Sequence, residues 1–195
     1  MVMSISPEPQ ALDDVSRFQQ AGKQTAHTPE VMKLATGFQG TPLDRTNQIL
    51  AHMKSLRVTR FDDNLFRKRS ASQILEQGFV TGCTDADLVF VTLARACGIP
   101  AKYVETIDRS WLEKGGDIIQ GHQYAEIYDT ENKRWIWVNP MGNKVDIQSP
   151  ENDNRVVYRI GLDSWDIGIN DFHSLSENFN RFRETWLEQN HFIAS

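Results

Sequence analysis

Cysteine is scarce in this chain of 195 residues, which contains only Cys83 and Cys97. Two cysteines are too few for the disulfide framework that holds small secreted domains together. Long apolar runs are also missing, so no segment is expected to span a membrane. The N-terminus lacks the basic and apolar regions of a signal peptide, and we therefore expect a cytoplasmic protein.

Positive charge is not in excess, because the formal net charge is −5 at pH 7. This balance gives no electrostatic footprint for nucleic acid, so a nucleic-acid partner is not expected. The spacings C-x-x-C and H-E-x-x-H are absent, and the sequence predicts neither a metal site nor a cofactor.

The N-terminal half of the chain is predicted to be helical. Residues 1–25 are polar and show no periodicity, which predicts a flexible arm, and residues 26–195 are predicted to form a single domain. Helices are expected to begin at Thr28, Thr41 and Ser70, because each of these residues can cap a helix N-terminus.

A buried helix and a sheet are predicted to follow. Apolar residues recur at helical spacing from Cys83 to Cys97, and Gly98 ends this helix. The period then changes to two, which predicts strands at 101–107, 122–128, 134–138 and 155–160. The C-terminal helix carries an apolar stripe of Leu175, Phe179, Phe182 and Trp186. Helices followed by strands favour an α+β domain with an antiparallel sheet.

The two cysteines are predicted to have different roles. One helix would separate them by about 20 Å, whereas the Cα atoms of a disulfide lie within about 7 Å. The same separation excludes a shared metal site. Cys97 lies on the apolar stripe at the helix end and is interpreted as a small hydrophobic residue. Cys83 follows Gly82 and opens the helix, where the dipole favours a thiolate.

A reactive Cys83 also needs a histidine. Lowering a thiol pKa from about 8.5 to about 6 requires roughly 3.4 kcal/mol, and a helix N-terminus supplies about 0.3–1 kcal/mol. His122 is the candidate, because it begins a strand that pairs in a hairpin with the strand ending at Asn139. With a turn centred near Glu131, His122 would lie opposite Asn139 or Pro140. Asn139 could then hold the imidazole tautomer, giving a nucleophile, a base and an orienting residue.

The stretch from about residue 80 to residue 140 resembles the transglutaminase-like superfamily, and the order of the predicted helices extends the resemblance to residues 28–140. The shared features are the Gly82-Cys83 helix start, the segment Arg95-Ala96-Cys97-Gly98-Ile99-Pro100-Ala101, the strand starting at His122, and Trp137-Val138-Asn139-Pro140. Asn139 stands where the family usually has Asp, and Tyr124 stands where it usually has Trp. The resemblance implies a papain-like α+β fold, in which the cysteine helix packs against the sheet that carries His122 and Asn139.

The resemblance also implies thiol-dependent acyl transfer on a peptide or protein amide, by hydrolysis, deamidation or cross-linking. The backbone N–H of Cys83 and the side chain of Gln77 would be the oxyanion donors. Trp111, in the predicted loop 108–121, and Tyr124 are further candidates for substrate contact. Asp85 is expected to complement the helix dipole, and Glu126 to make a structural hydrogen bond.

Two alternatives stay open. The first is an inactive member of the fold that binds peptides, because Asn139 can orient an imidazole but cannot offset its positive charge. The second is another thiol transferase, such as an arylamine acetyltransferase, which uses the same triad but would need a cofactor domain. The retained pair of Cys83 and His122 favours the enzyme. The sequence identifies neither the substrate nor the oligomeric state.

Overall fold

The computed structural model describes residues 15–191, without the side chain of His191. The helices are α1 (Pro29–Ala35), α2 (Pro42–Met53), α3 (Ala71–Gln77), α4 (Cys83–Ala96), α5 (Arg109–Lys114) and α6 (Phe172–His191). The strands are β1 (Arg57–Val58), β2 (Phe79–Val80), β3 (Ala101–Asp108), β4 (Gly121–Asp129), β5 (Arg134–Asn139), β6 (Lys144–Ile147) and β7 (Arg155–Gly161).

The predicted helix starts are confirmed, and side chains explain each of them. Thr28 accepts a hydrogen bond from the backbone of Val31, while Thr41 and Ser70 each form a reciprocal capping box with the residue three positions later. Helix α3 ends at Gly78, whose φ of 71° is a left-handed conformation that glycine adopts without steric cost.

The sheet is antiparallel throughout, as predicted, with the strand order β6-β5-β4-β3-β7. The four predicted strands are confirmed as β3, β4, β5 and β7, with ends that differ by at most one residue. The sequence analysis missed β1 and β2, which pair in parallel and contain two residues each. Strands this short carry no alternation that a sequence could reveal. It also missed β6 and helix α5, which lies in the segment interpreted as a loop.

Helix α4 is buried on every side, not only on the one side that was predicted. All of its residues from Thr84 to Arg95 are buried. The reason is that α4 packs against β3 and β4 on one side and against α1, α2 and α3 on the other. A helix enclosed in this way has little freedom to shift, so the position of Cys83 at its first residue is well defined.

The segment 15–25 packs against the domain. Phe18 is 2% exposed, and its backbone carbonyl accepts a hydrogen bond from Ala101 at 3.0 Å. Gln24 is buried and donates to the backbone carbonyls of Arg67 and Arg69. The arm predicted for residues 1–25 is therefore part of the packed structure over 15–25, whereas residues 1–14 lie outside the described residues.

The C-terminal stripe is confirmed as a packing face. Phe179 is fully buried, with its ring 6.2 Å from Trp111 and 5.3 Å from Tyr158. In the part of the chain that the structure describes, no helix is long and apolar enough to cross a membrane.

Replacing Phe18 with Ala should lower the free energy of unfolding by about 3–5 kcal/mol, because a buried ring is lost from the contact with Trp135. Denaturant unfolding followed by circular dichroism measures this loss. The control is Phe61→Ala, which removes a ring that is 57% exposed and should change stability by at most about 0.5 kcal/mol. Equal effects of the two substitutions would contradict the packing of residues 15–25.

Candidate active site

Cys83 stands at the first turn of α4, where no side chain caps the helix. Asp85, in the same turn, accepts hydrogen bonds from the backbone and hydroxyl of Thr81, at 2.8 and 2.7 Å. It also forms a buried ion pair with Arg69. These contacts anchor the helix start to the preceding loop, and they use Asp85 for structure rather than for chemistry.

The hydrogen-bond partner of the Cys83 thiol is Gln123, the residue that follows His122 on β4. Cys83 Sγ donates to Gln123 Oε1 at 2.7 Å, and the Thr84 hydroxyl donates to the same oxygen at 3.0 Å. Among the hydrogen bonds of the described residues, none joins the thiol to the His122 imidazole. The thiol is thus held by an amide next to the predicted base, and not by the base.

The side chains of His122 and Asn139 are in contact, as predicted, but the register between β4 and β5 differs from the predicted one. The ladder pairs Ala125 with Val138, so one further step would set Asn139 opposite Tyr124. His122 and Asn139 are therefore diagonal neighbours, a separation that side chains can bridge. The distance from His122 Nε2 to Asn139 Oδ1 is 3.4 Å. The same oxygen accepts a hydrogen bond from the backbone of Gly142 at 2.9 Å.

Thiol and imidazole lie on either side of one end of β4. Successive side chains of a strand point to opposite faces, so Gln123 faces α4, and His122 shares the other face with Tyr124. The rings of His122 and Tyr124 are 4.7 Å apart, edge to face. The ladder between β4 and β5 begins at Ala125, so residues 121–124 of β4 are not paired with β5.

Burial favours the neutral form of both groups of the predicted pair. Burial raises the pKa of the Cys83 thiol above its usual value, and a hydrogen bond from the Gln123 backbone N–H opposes that rise. Burial lowers the pKa of His122, as does the positive charge of Arg155, while the contact with Asn139 raises it. Both shifts oppose the expected thiolate and imidazolium, because the two groups are desolvated and no hydrogen bond between them is among those of the described residues.

A buried ion pair lies beneath Gln123. Arg67 Nη2 is 2.7 Å from Glu105 Oε2, and the two side chains are 1% and 0% exposed. Glu105 Oε1 accepts a hydrogen bond from Gln123 Nε2. The sequence analysis missed Arg67, Glu105 and Gln123. Strand alternation could have indicated that Gln123 faces the cysteine helix, but nothing in the sequence connects Arg67 with Glu105.

The other predicted site residues are spread over three places. The side-chain carbonyl of Gln77 accepts a hydrogen bond from Arg69 at 2.7 Å, close to the start of α4. Trp111 is 4% exposed and belongs to the core on Phe179, a position that speaks against substrate contact. Tyr124 lies beside His122, and Glu126 forms an ion pair with Lys102 at 3.2 Å.

Cys97 and two further described histidines, His52 and His173, make other contacts. Cys97 packs against the core, and its thiol donates to the backbone carbonyl of Ala94 at 3.3 Å. Neither cysteine is in a disulfide. His52 stacks on Phe38, and His173 pairs with Glu177. Across residues 15–191, no three His, Cys, Asp or Glu side chains are grouped so that they could hold a metal ion.

A cavity of about 210 Å³ adjoins the site. It is bounded by α2, by Ala86 one turn after Cys83, and by Pro140 directly after Asn139. Its walls are mostly apolar and include Leu50, Met53, Leu56, Val58, Val80 and Met141. An apolar side chain bound there would lie next to the residues that carry the predicted chemistry.

A family model described as the transglutaminase-like superfamily matches residues 32–140, more than half of the chain. The chain belongs to the transglutaminase-like superfamily. The match includes Cys83, His122 and Asn139, and it confirms the resemblance drawn from the sequence. No curated protein matches the chain.

Solved structures show the same fold at low sequence identity. A candidate cysteine protease from Cytophaga hutchinsonii has a TM-score of 0.58 at 20% identity, over 80% of this chain and 50% of that one. LapG of Legionella pneumophila has a TM-score of 0.50 at 12% identity, over 78% of this chain and 95% of that one. This superfamily member therefore spans about half of the Cytophaga protein. At these identities the likeness shows the fold alone.

The pH midpoint for alkylation of Cys83 should lie above about 8.5, the usual thiol value, because burial and the contact with Gln123 favour the protonated form. The rate with iodoacetamide, read for each cysteine by mass spectrometry across the pH range, measures this midpoint. Cys97, whose pKa burial also raises, is the internal reference. A Cys83 midpoint near pH 6 in the folded protein would contradict the resting arrangement.

Proposed function

We propose that this protein is a cysteine hydrolase or acyltransferase that acts on a peptide or protein amide, with Cys83 as nucleophile, His122 as general base and acid, and Asn139 as the residue that orients His122. The observation that carries the proposal is the placement of all three at one end of β4, inside the region that matches the superfamily. The catalytic step needs a rotation of the thiol from Gln123 towards His122. In unliganded enzymes, catalytic hydrogen bonds are often long and tighten when substrate binds.

The chemistry runs through a thioester. His122 takes the Cys83 proton, and the sulfur attacks the amide carbonyl carbon. The backbone N–H of Cys83, at the helix N-terminus, can donate to the oxyanion that forms. The C–N bond then breaks, and the imidazolium gives its proton to the leaving amine. Water, or another amine, attacks the thioester with His122 as base, which releases the product and restores the thiol. Water is the simplest acceptor, since it needs no binding site.

Gln77 and the apolar cavity supply the remaining parts of this proposal. Arg69 binds the side-chain carbonyl of Gln77, so the amide nitrogen is the group left to donate to a substrate oxygen. The cavity between Ala86 and Pro140 would receive an apolar side chain near the attacked amide. A peptide-binding module without chemistry would use the same cavity. The contact between His122 and Asn139 favours the enzyme, because binding alone does not require an oriented imidazole.

Replacing Cys83 with Ala should abolish turnover, and His122→Ala should lower kcat/KM by about 10²- to 10⁴-fold, the usual contribution of a general acid–base. The assay incubates the protein with a peptide mixture, with and without a primary amine. Mass spectrometry then distinguishes cleavage, deamidation and amine incorporation. His173→Ala, a change at an exposed histidine on α6, is the control and should leave the rate unchanged. Peptides that bind the wild type and Cys83→Ala equally, with no product from either, would support the binding module instead.

Replacing Asn139 with Asp should raise the pKa of His122 by about one unit, because a carboxylate would stand 3.4 Å from the imidazole. Nuclear magnetic resonance titration of the His122 ring protons measures the shift. Asn47→Asp, which adds the same charge at an exposed position of α2, should not change the pKa of His122. An unmoved His122 in a folded Asn139→Asp protein would exclude the orienting role of this position.

A further inference from the structure

The Gln123 side chain is fixed in one orientation by the groups around it. Its oxygen accepts from the Cys83 thiol and from the Thr84 hydroxyl. Its nitrogen donates to Glu105. An ionised carboxylate can only accept hydrogen bonds, so the NH₂ group must face Glu105 and the oxygen must face Cys83. Rotation of the amide by half a turn would set two acceptors against each other in a buried place.

Arg67 in turn favours the ionised form of Glu105. Burial raises the pKa of the Glu105 carboxyl above its usual value, and the charge of Arg67 and its hydrogen bond oppose that rise. The Arg67 guanidinium is fixed further by the Ser164 hydroxyl at 2.8 Å. The backbone of Arg67 has a φ of 60°, a left-handed conformation that is uncommon for arginine and persists where the surroundings impose it. Gln24 and Trp165 impose it by donating to its carbonyl, at 3.0 and 2.7 Å.

This orientation decides which form of Cys83 fits the site. A thiol can donate its proton to Gln123 Oε1, whereas a thiolate has no proton and would face a carbonyl oxygen. The hydrogen bond therefore favours the protonated sulfur and directs it towards the sheet, away from His122.

We propose that Gln123 holds Cys83 as a protonated resting thiol, that Glu105 and Arg67 are positioning residues that orient the Gln123 amide, and that turnover begins when Sγ leaves Gln123 for His122. The last step rests on the proposed function, whereas the resting thiol does not. The superfamily member is thus latent until substrate or another signal turns Cys83, and its reactivity is set by residues outside the triad.

Several titratable groups face Cys83 from the elements around it. They are Glu105 and Tyr103 on β3, Arg67 before α3, Asp87 on α4 and Tyr124 on β4. Glu105 and Asp87 raise the pKa of the thiol, and Arg67 lowers it. Burial raises the pKa of Asp87 well above its usual value, and both of its carboxyl oxygens lack a hydrogen-bond partner. The Asp87 carboxyl contacts no hydrogen-bond donor, whereas Glu105 accepts from Gln123, so Glu105 is the acid that acts on the Gln123 amide.

The decisive variant is Gln123→Met, which keeps an unbranched side chain of similar length but removes the acceptor. The pH midpoint for iodoacetamide alkylation of Cys83 should fall, and the rate at pH 7 should rise about three- to tenfold. The midpoint is the quantity to compare, because a merely loosened structure raises the rate at every pH. The matched control is Gln19→Met, which removes a half-buried glutamine that donates to the backbone carbonyl of Arg95 at 2.9 Å, in the last turn of α4 and far from Cys83. Its Cys83 midpoint should not move.

The outcomes separate cleanly when Cys97 alkylation and circular dichroism verify that each variant is folded. A Cys83 midpoint that stays in place in Gln123→Met would overturn the proposal. An equal fall of the midpoint in Gln19→Met would also overturn it, because loss of packing would then explain both shifts. A fall of the Cys83 midpoint in Gln123→Met alone supports the proposal.

A double-mutant cycle tests whether Glu105 acts through Gln123. Glu105→Gln should lower the Cys83 midpoint, and Glu126→Gln, which breaks the ion pair with Lys102 elsewhere in the sheet, should not. If Glu105 acts by orienting the amide, the double variant Gln123→Met/Glu105→Gln should shift the midpoint less than the two single shifts added together. Fully additive shifts would show a direct charge effect and would overturn the positioning role of Glu105.

Neither experiment needs a substrate, so the two proposals can fail separately. A shifted midpoint with no amide turnover in any variant leaves the resting thiol in place and refutes the enzyme. Turnover by the wild type with an unshifted midpoint in Gln123→Met supports the enzyme and refutes the resting thiol.

Discussion

The ion pair between Arg67 and Glu105 is the interaction on which the centre of this molecule depends. It joins the segment before α3 to β3, and through Gln123 it reaches β4 and the first residue of α4. Removal of one partner would leave the other charge buried without compensation, which commonly costs about 3–5 kcal/mol. Through these contacts the ion pair links the segment before α3 to the histidine strand and to the start of the cysteine helix.

The surroundings of this pair explain why the site is placed where it is. Helix α4 is enclosed by the sheet and by three helices, so its N-terminus has one position relative to β4. His122 and Asn139 lie on adjacent strands, where backbone pairing sets their separation. Rigid elements thus hold the three predicted catalytic side chains, and the freedom that remains is mainly rotation about the Cys83 side-chain bonds.

Much of the fold was predictable from the sequence because its signals are local. Thr28, Thr41 and Ser70 cap their helices with their own side chains, and β3, β4, β5 and β7 show regular alternation. The meeting of His122 with Asn139 followed from hairpin geometry, although the register differed and made them diagonal neighbours. Contacts between distant segments were not predictable. Arg67 and Glu105 are 38 positions apart, and no periodic pattern links them. The sequence suggested a thiolate at Cys83, whereas burial and the hydrogen bond to Gln123 favour the thiol.

The Asn139 side chain has a consequence for communication within the domain. Its single carbonyl oxygen is shared between the imidazole of His122 and the backbone of Gly142. Gly142 belongs to the turn whose neighbours Met141 and Asn143 line the apolar cavity. Movement of this turn therefore changes the support that the imidazole receives, and rotation of the imidazole changes the support of the turn. Filling of the cavity and alignment of the His122 imidazole are therefore thermodynamically linked through this turn. A ligand that fills the cavity changes the orientation of the imidazole, and the reverse also holds.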